Sequence, residues 1–151
     1  MEATVRSLSR DEANALWKES VQELDLHKTF GKDTDPDKIA GETWLELAED
    51  GVPVGIVWLK RWIKNSEAVI AFGRCMKPGY RQVGAAHVFR QAIRAKIREI
   101  YPGAKTLLAL VYSTNPKSLA MVVTQPDARV VGVIPVGDGV LLYIFVLVEW
   151  S

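Results

Sequence analysis

The stretch Met76–Ala86, Met-Lys-Pro-Gly-Tyr-Arg-Gln-Val-Gly-Ala-Ala, ends an apolar run and opens a helical pattern, and its residue types suit the binding of an anion. Small side chains at Gly84, Ala85 and Ala86 let the backbone approach an anionic group closely, and the first unpaired N–H groups of the helix point at it. The helix dipole adds about 0.3–1 kcal/mol in favour of negative charge there. Arg81 is placed to add a charged contact to a phosphate. The same residues serve plain tight packing equally well, so the wider context has to decide.

Other residues carry chemistry of their own. Asn115 followed by Pro116 is a helix start, a cap with proline at the first helical position. Tyr112, just before it, ends an apolar run and offers a hydroxyl proton donor. Glu67 could act as a general base at the start of a strand, or stand as a solvated strand-edge carboxylate. His87 reads as a helix-surface histidine. Cys75, beside Met76, reads as packing rather than as a nucleophile. Asp33, Asp35 and Asp37 do not form a calcium loop, because the sixth position is Lys38 and the twelfth is Trp44. They form an acidic stretch able to attract a cationic amine, or a plain exposed loop.

The elements that position these residues follow from periodicity and breakers. Thr4–Leu8 alternates. Ser9 and Glu12 form a capping box, and Ala13, Leu16, Trp17 and Leu24 predict an amphipathic helix over 10–25. Residues 27–41 are polar and broken by Gly31, Pro36 and Gly41, which predicts a loop with at most a short helix. Thr43–Ala48 and Val52–Trp62 flank Asp50-Gly51, a hairpin signal. The alternation Trp58, Lys60, Trp62 sets both rings on one face. Ala68–Met76 is a third strand. Ala86, Phe89, Ile93, Ile97 and Ile100 recur at helical spacing, while Arg90, Arg94 and Arg98 lie on another face, read as solvated. Thr106–Tyr112 is a strand, and Gln125-Pro126-Asp127 ends the short helix opened at Asn115. Arg129–Ile134 and Val140–Trp150 are the last strands. The order β-α-β-β-β-α-β-α-β-β predicts a mixed α/β sheet of six to seven strands with about four helices on its two faces.

Composition bounds the function. The 151 residues are read as one domain, 1–151. With 48% hydrophobic and 25% charged residues, a packed core is expected and disorder is excluded. Nineteen basic against 18 acidic residues give a net charge of +1, which speaks against a dedicated nucleic-acid binder. One cysteine forms no internal disulfide, and no Cys/His cluster has metal spacing, so no metal is expected. The polar start at Met1–Arg10 is no signal peptide, and Val140–Val148 is far short of the roughly 20 residues of a membrane helix. The expectation is a soluble, cytoplasmic protein without membrane association. The apolar final strand invites edge pairing, so a homodimer is possible.

Arg81-Gln82-Val83-Gly84-Ala85-Ala86 resembles the acyl-CoA pyrophosphate loop of the GNAT N-acetyltransferase superfamily, written R/Q-x-x-G-x-G/A. The likeness extends upstream through Met76, Pro78 and Tyr80, and downstream to Asn115 and Ser118, where the family shows an asparagine followed three residues later by Ala or Ser. It spans roughly residues 3–150. The resemblance implies a GNAT-like fold and acetyl-CoA as co-substrate. The backbone from Gln82 through Val83 to Ala86 would hold the pyrophosphate. The strand end Cys75, Met76, Lys77 would pair with the pantetheine arm, with Asn115 bonded to it and Ser118 nearby.

The departures are specific. Where many members carry a tyrosine acid, this chain has Met121 and Val122, and where some carry a glutamate base it has Ile70. Tyr112 and Glu67 are left as the catalytic candidates. The reading is an acyl-CoA-dependent N-acyltransferase acting on a primary amine, by direct attack of the neutral amine. The rival reading is a catalytically inactive GNAT-fold binding module.

Overall fold

In the computed structural model, which describes residues 1–82 and 84–147, the capping box at Ser9 closes as expected. Glu12 N–H donates to Ser9 Oγ (3.2 Å) and Ser9 N–H to the Glu12 carboxylate (3.0 Å). This starts α1 (Arg10–Ser20), which follows β1 (Ala3–Leu8). The helix stops short of the expected residue 25, and Glu23, at φ 67, turns the chain away. A one-turn helix, α2 (Leu26–Phe30), occupies the polar segment. Then come β2 (Thr43–Glu49), β3 (Val52–Arg61) and β4 (Val69–Met76). Asp50 (φ 50) and Gly51 (φ 82) both take positive φ, the geometry of the two-residue turn that joins twisted strands.

After β4 the expected long helix begins late. Residues 84–86 form turns, His87–Phe89 a 3-10 turn, and α3 runs from Arg90 to Ile100. β5 (Thr106–Tyr112), α4 (Pro116–Val123), β6 (Ala128–Gly137) and β7 (Val140–Leu147) complete the fold. The part of the final run at 148–150 lies outside the described residues.

The seven strands lie in the order β1-β2-β3-β4-β5-β7-β6, antiparallel except for β4 and β5. Ala13, Leu16 and Trp17 of α1 cover one face over Trp44, Ile56 and Cys75. Phe89, Ile93 and Ile97 cover the other over Leu47, Val57, Leu59, Ile70 and Leu107. Val122 of α4 packs on that second face against Ala109, Val111 and Phe145.

Two expectations are corrected. β7 is not an edge, since β5 and β6 pair with it on either side. The edge is β6, which exposes Val130, Val131, Val133, Ile134 and Val136. Nor is the whole arginine row a solvated face: Arg98 is exposed, but Arg90 and Arg94 are not. Arg94 is 6% exposed and, with Arg90, pairs with the fully buried Asp127 at 2.8 and 2.7 Å. Among the described residues, no helix is long and apolar enough to cross a membrane.

Candidate active site: a split in the sheet

The parallel pairing of β4 with β5 runs only from Val69–Thr106 to Phe72–Ala109. Beyond it β4 stays with β3, which it pairs as far as Met76, while β5 stays with β7 as far as Tyr112. The two strands part, and a gap opens in the middle of the sheet.

Backbone parity decides which groups face the gap. Trp62 N–H donates to Val69 C=O (2.9 Å) and Lys77 N–H to Val54 C=O (2.8 Å), so odd-numbered residues of this strand face β3. The even-numbered ones face β5, as the bonds from Lys105 and Thr106 N–H to Ala68 C=O show at the paired end. Past Phe72 that leaves the backbone of Arg74 and Met76 turned into the gap. Of the expected trio, only Met76 presents its backbone there. The Cys75 backbone faces β3 and the Lys77 N–H is spent on Val54, while the Lys77 ammonium pairs with Glu19 (2.8 Å).

A cavity of about 280 Å³ opens beside Tyr80, Arg81, Gln82 and Ala86 and along Asn115, Ser118 and Met121. The loop and the two positions downstream therefore meet at one place, as the sequence predicts; Val83 lies outside the described residues. Gly84 takes φ +88, a conformation glycine adopts without strain. Ala85 N–H is bonded to Gln82 C=O (3.1 Å) and His87 N–H to Gly84 C=O (3.1 Å), so the loop is a run of tight turns and not yet a helix.

Arg81 departs from expectation. Its guanidinium turns inward, donating from Nε to Met76 C=O (2.9 Å) and from a terminal nitrogen to Ser20 C=O. It ties the end of β4 to the end of α1 and satisfies the Met76 carbonyl on the gap side. Asn115 is a cap, its Oδ1 accepting from Ser118 N–H (3.3 Å), which leaves its amide nitrogen for the cavity.

Glu67 lies at the far end of β4 from the split. It accepts from Gly103 N–H (2.6 Å) in the turn before β5. Seven residues of extended chain, roughly 20 Å, separate it from Arg74. Tyr112 ends β5 beside the split, on the α1–α2 face. A Cβ at Gly31 would lie 2.7 Å from its hydroxyl, so that hydroxyl sits against the loop after α2.

On this face a cavity of about 490 Å³ is lined by Phe30, Trp58 and Tyr112 and by Asp33 and Asp35. Asp37 instead pairs with Lys18 (3.2 Å). A smaller cavity of about 60 Å³, bounded by Phe30, Trp58, Arg74, Tyr112, Asn115 and Ser118, lies in the split and shares walls with both larger ones. Trp58 lies across Gly73, its cross-strand partner, where any Cβ would overlap the indole. Trp44 is core, its Nε1 donating to Ala40 C=O (2.8 Å), and Trp62 is exposed.

Cys75 is buried under α1, its thiol donating to Ser20 C=O (3.3 Å), and burial pushes its pKa up to about 11. Thiol-reactive disulfide reagents at pH 8 are therefore expected to modify the folded protein at least tenfold more slowly than the denatured one. A fast native reaction would contradict this placement.

Arg74 and Gly73 are passed over by motif reasoning, and Asp127 enters it only as part of a helix breaker. A glycine and an arginine inside the apolar run Ala68–Met76 were the available signal for the first two.

No family model matches the chain, and no curated protein does. Solved structures do. An acetyltransferase of the GNAT family from Streptococcus pneumoniae aligns with TM-score 0.67 at 13% identity, over 96% of this chain and 98% of that one. An aminoglycoside acetyltransferase in complex with coenzyme A gives 0.66 at 14%, over 95% and 94%. The ribosomal-protein-S18-alanine N-acetyltransferase from Escherichia coli gives 0.65 at 13%, over 97% and 93%. Along nearly its whole described length, with a seven-stranded mixed sheet parted between β4 and β5, the chain has the fold of the GNAT N-acetyltransferases.

Proposed function

We propose that this chain is an acyl-CoA-dependent N-acyltransferase that moves an acetyl group from coenzyme A to a primary amine. The observation that carries the reading is the row of cavities at the split. A groove beside a glycine turn shares walls with a small cavity in the split, which in turn shares walls with an aromatic and acidic pocket on the α1–α2 face. The fold it shares with solved acetyltransferases supports it.

The residues fit such a donor. Gly84 shapes a turn that a phosphate can approach, the Arg90 Nε is buried without a partner nearby, and the open edge of β4 can pair with an amide-bearing arm. Acetyl-CoA supplies a reactive thioester. The Arg74 and Met76 N–H groups point into the split, where they can polarise a carbonyl. Phe30, Trp58 and Tyr112 wall the acceptor pocket, and Asp33 and Asp35 favour a cationic amine that sheds its proton before attack.

Proton handling differs from the commoner family pattern. Ile70 is fully buried in the core and Val122 is packed against Ala109 and Phe145, so neither position offers an acid or base. Tyr112 and solvent are left for the proton, while holding the reactants together can supply several kcal/mol of the barrier. The same two positions favour the second reading, a module that binds acyl-CoA and does no chemistry.

Calorimetric titration with acetyl-CoA and with CoA tests the site, with binding in the micromolar range expected. No binding at millimolar ligand removes the reading. Release of free thiol across a panel of amines, diminished in Tyr112→Phe, then separates enzyme from module: binding without turnover on any amine leaves the module.

A further inference from the structure

Arg74 stands in the split with its side chain on the α3–α4 face, opposite the acceptor pocket. A terminal nitrogen of its guanidinium lies 2.9 Å from the Met121 thioether sulfur, a weak acceptor. Arg74 lines three cavities: the groove, the split and a small one of about 30 Å³ under α3. Among the described residues, no carboxylate lines any of them. The titratable and charged groups lining this space are His87, Arg90 and Arg94 from the α3 side and Lys117 from α4. Tyr80 and Arg81 face it from the loop and Tyr112 from β5. Asp127 is occupied by Arg90 and Arg94, and Arg81 by two carbonyls.

A desolvated cation with no counter-ion is costly, even though burial lowers the pKa of Arg74 only to about 10 and leaves it charged at neutral pH. An anion arriving in the groove offsets that cost. The reaction proposed above makes one. The amine enters from the face of Trp58 and Asp33, the new C–N bond forms in the split, and the C–S bond breaks on the donor side. Its electron pair stays on sulfur as a thiolate. The ammonium proton is lost to solvent, and the thiolate takes a proton from solvent on release.

We propose that Arg74 is a catalytic residue that stabilises the leaving CoA thiolate electrostatically, in place of the proton donor that positions 121 and 122 lack. Resting on the acyltransferase reading, it has a test that needs no acceptor. The thiol of CoA bound to the protein is titrated by its thiolate absorbance, with desulfo-CoA as the blank. The bound thiol is expected to ionise at least one pKa unit below its ordinary value of about 8.5, a tenfold preference for thiolate. In Arg74→Met the shift is expected to vanish while desulfo-CoA affinity holds within threefold. Arg74→Lys, which keeps a charge, is expected to retain part of it. A wild-type thiol that titrates at its ordinary value, or a shift kept in Arg74→Met, overturns the proposal while leaving the cofactor site intact. A preference for succinyl-CoA over acetyl-CoA that Arg74→Met abolishes, with the thiol unshifted, also overturns it, because the guanidinium then serves an acidic acyl chain. Failure of CoA to bind at all removes the site on which both readings stand.

Discussion

Replacing Asp127 with asparagine is expected to destabilise the fold by about 3–5 kcal/mol, the cost of leaving buried charge without its partner. Asp127 is fully buried, and its two oxygens take one guanidinium each, Arg90 at 2.7 Å and Arg94 at 2.8 Å. The arginines sit one helical turn apart on α3, so a single carboxylate spans both. Arg94 carries most of the penalty, since Arg90 keeps 27% of its side chain in solvent. For a chain of this length the loss corresponds to a fall in Tm of roughly 10 °C. Thermal or urea melts would measure it, and a change under 1 kcal/mol would show that the triad is not stabilising. The pair Arg94→Met with Asp127→Leu is expected to recover much of the loss, because apolar replacement removes the desolvation penalty along with the attraction. The triad ties the residue before β6 to α3.

Gly84→Val is expected to raise the Kd for CoA at least tenfold with little change in melting temperature. The reason is conformational and not steric. At φ +88 a β-branched residue is strongly disfavoured, whereas the nearest atom to an added Cβ is the His87 ring carbon at 3.6 Å, an ordinary contact. The turn would re-form with another φ and displace its neighbours Gln82 and Ala86, which line the groove. Asparagine tolerates positive φ, so Gly84→Asn should bind within about threefold of the wild type. Calorimetry on the two variants checks the argument. Equal CoA affinity in Gly84→Val would mean the loop holds no phosphate.

Much of the architecture follows from local sequence, because local chemistry is what closes it. Ser9 with Glu12, Asp50 with Gly51, and Asn115 with Pro116 each make their turn or cap from residues a few positions apart. The helical spacing of Phe89, Ile93 and Ile97 similarly announces a face that must be covered. The loop and Asn115 converge on one cavity because one helix and one strand separate them.

What covers a face, and what a charge meets there, is decided at long range. The apolar run Val140–Leu147 marks a strand but does not say that it slips between β5 and β6, so the exposed edge fell to β6. The spacing of Arg90 and Arg94 describes a polar stripe equally well whether water or Asp127, 33 residues from Arg94, lies against it. Arg81 reads as a phosphate ligand until the Met76 and Ser20 carbonyls, the latter 61 residues away, are brought within its reach. Arg74 is one charge inside an apolar run, and its place over a cavity exists only because β5 leaves β4. Periodicity determined which side of each element is apolar; the partner across the gap came only from tertiary packing, because hydrogen-bond and charge complementarity are satisfied between segments that local sequence cannot relate.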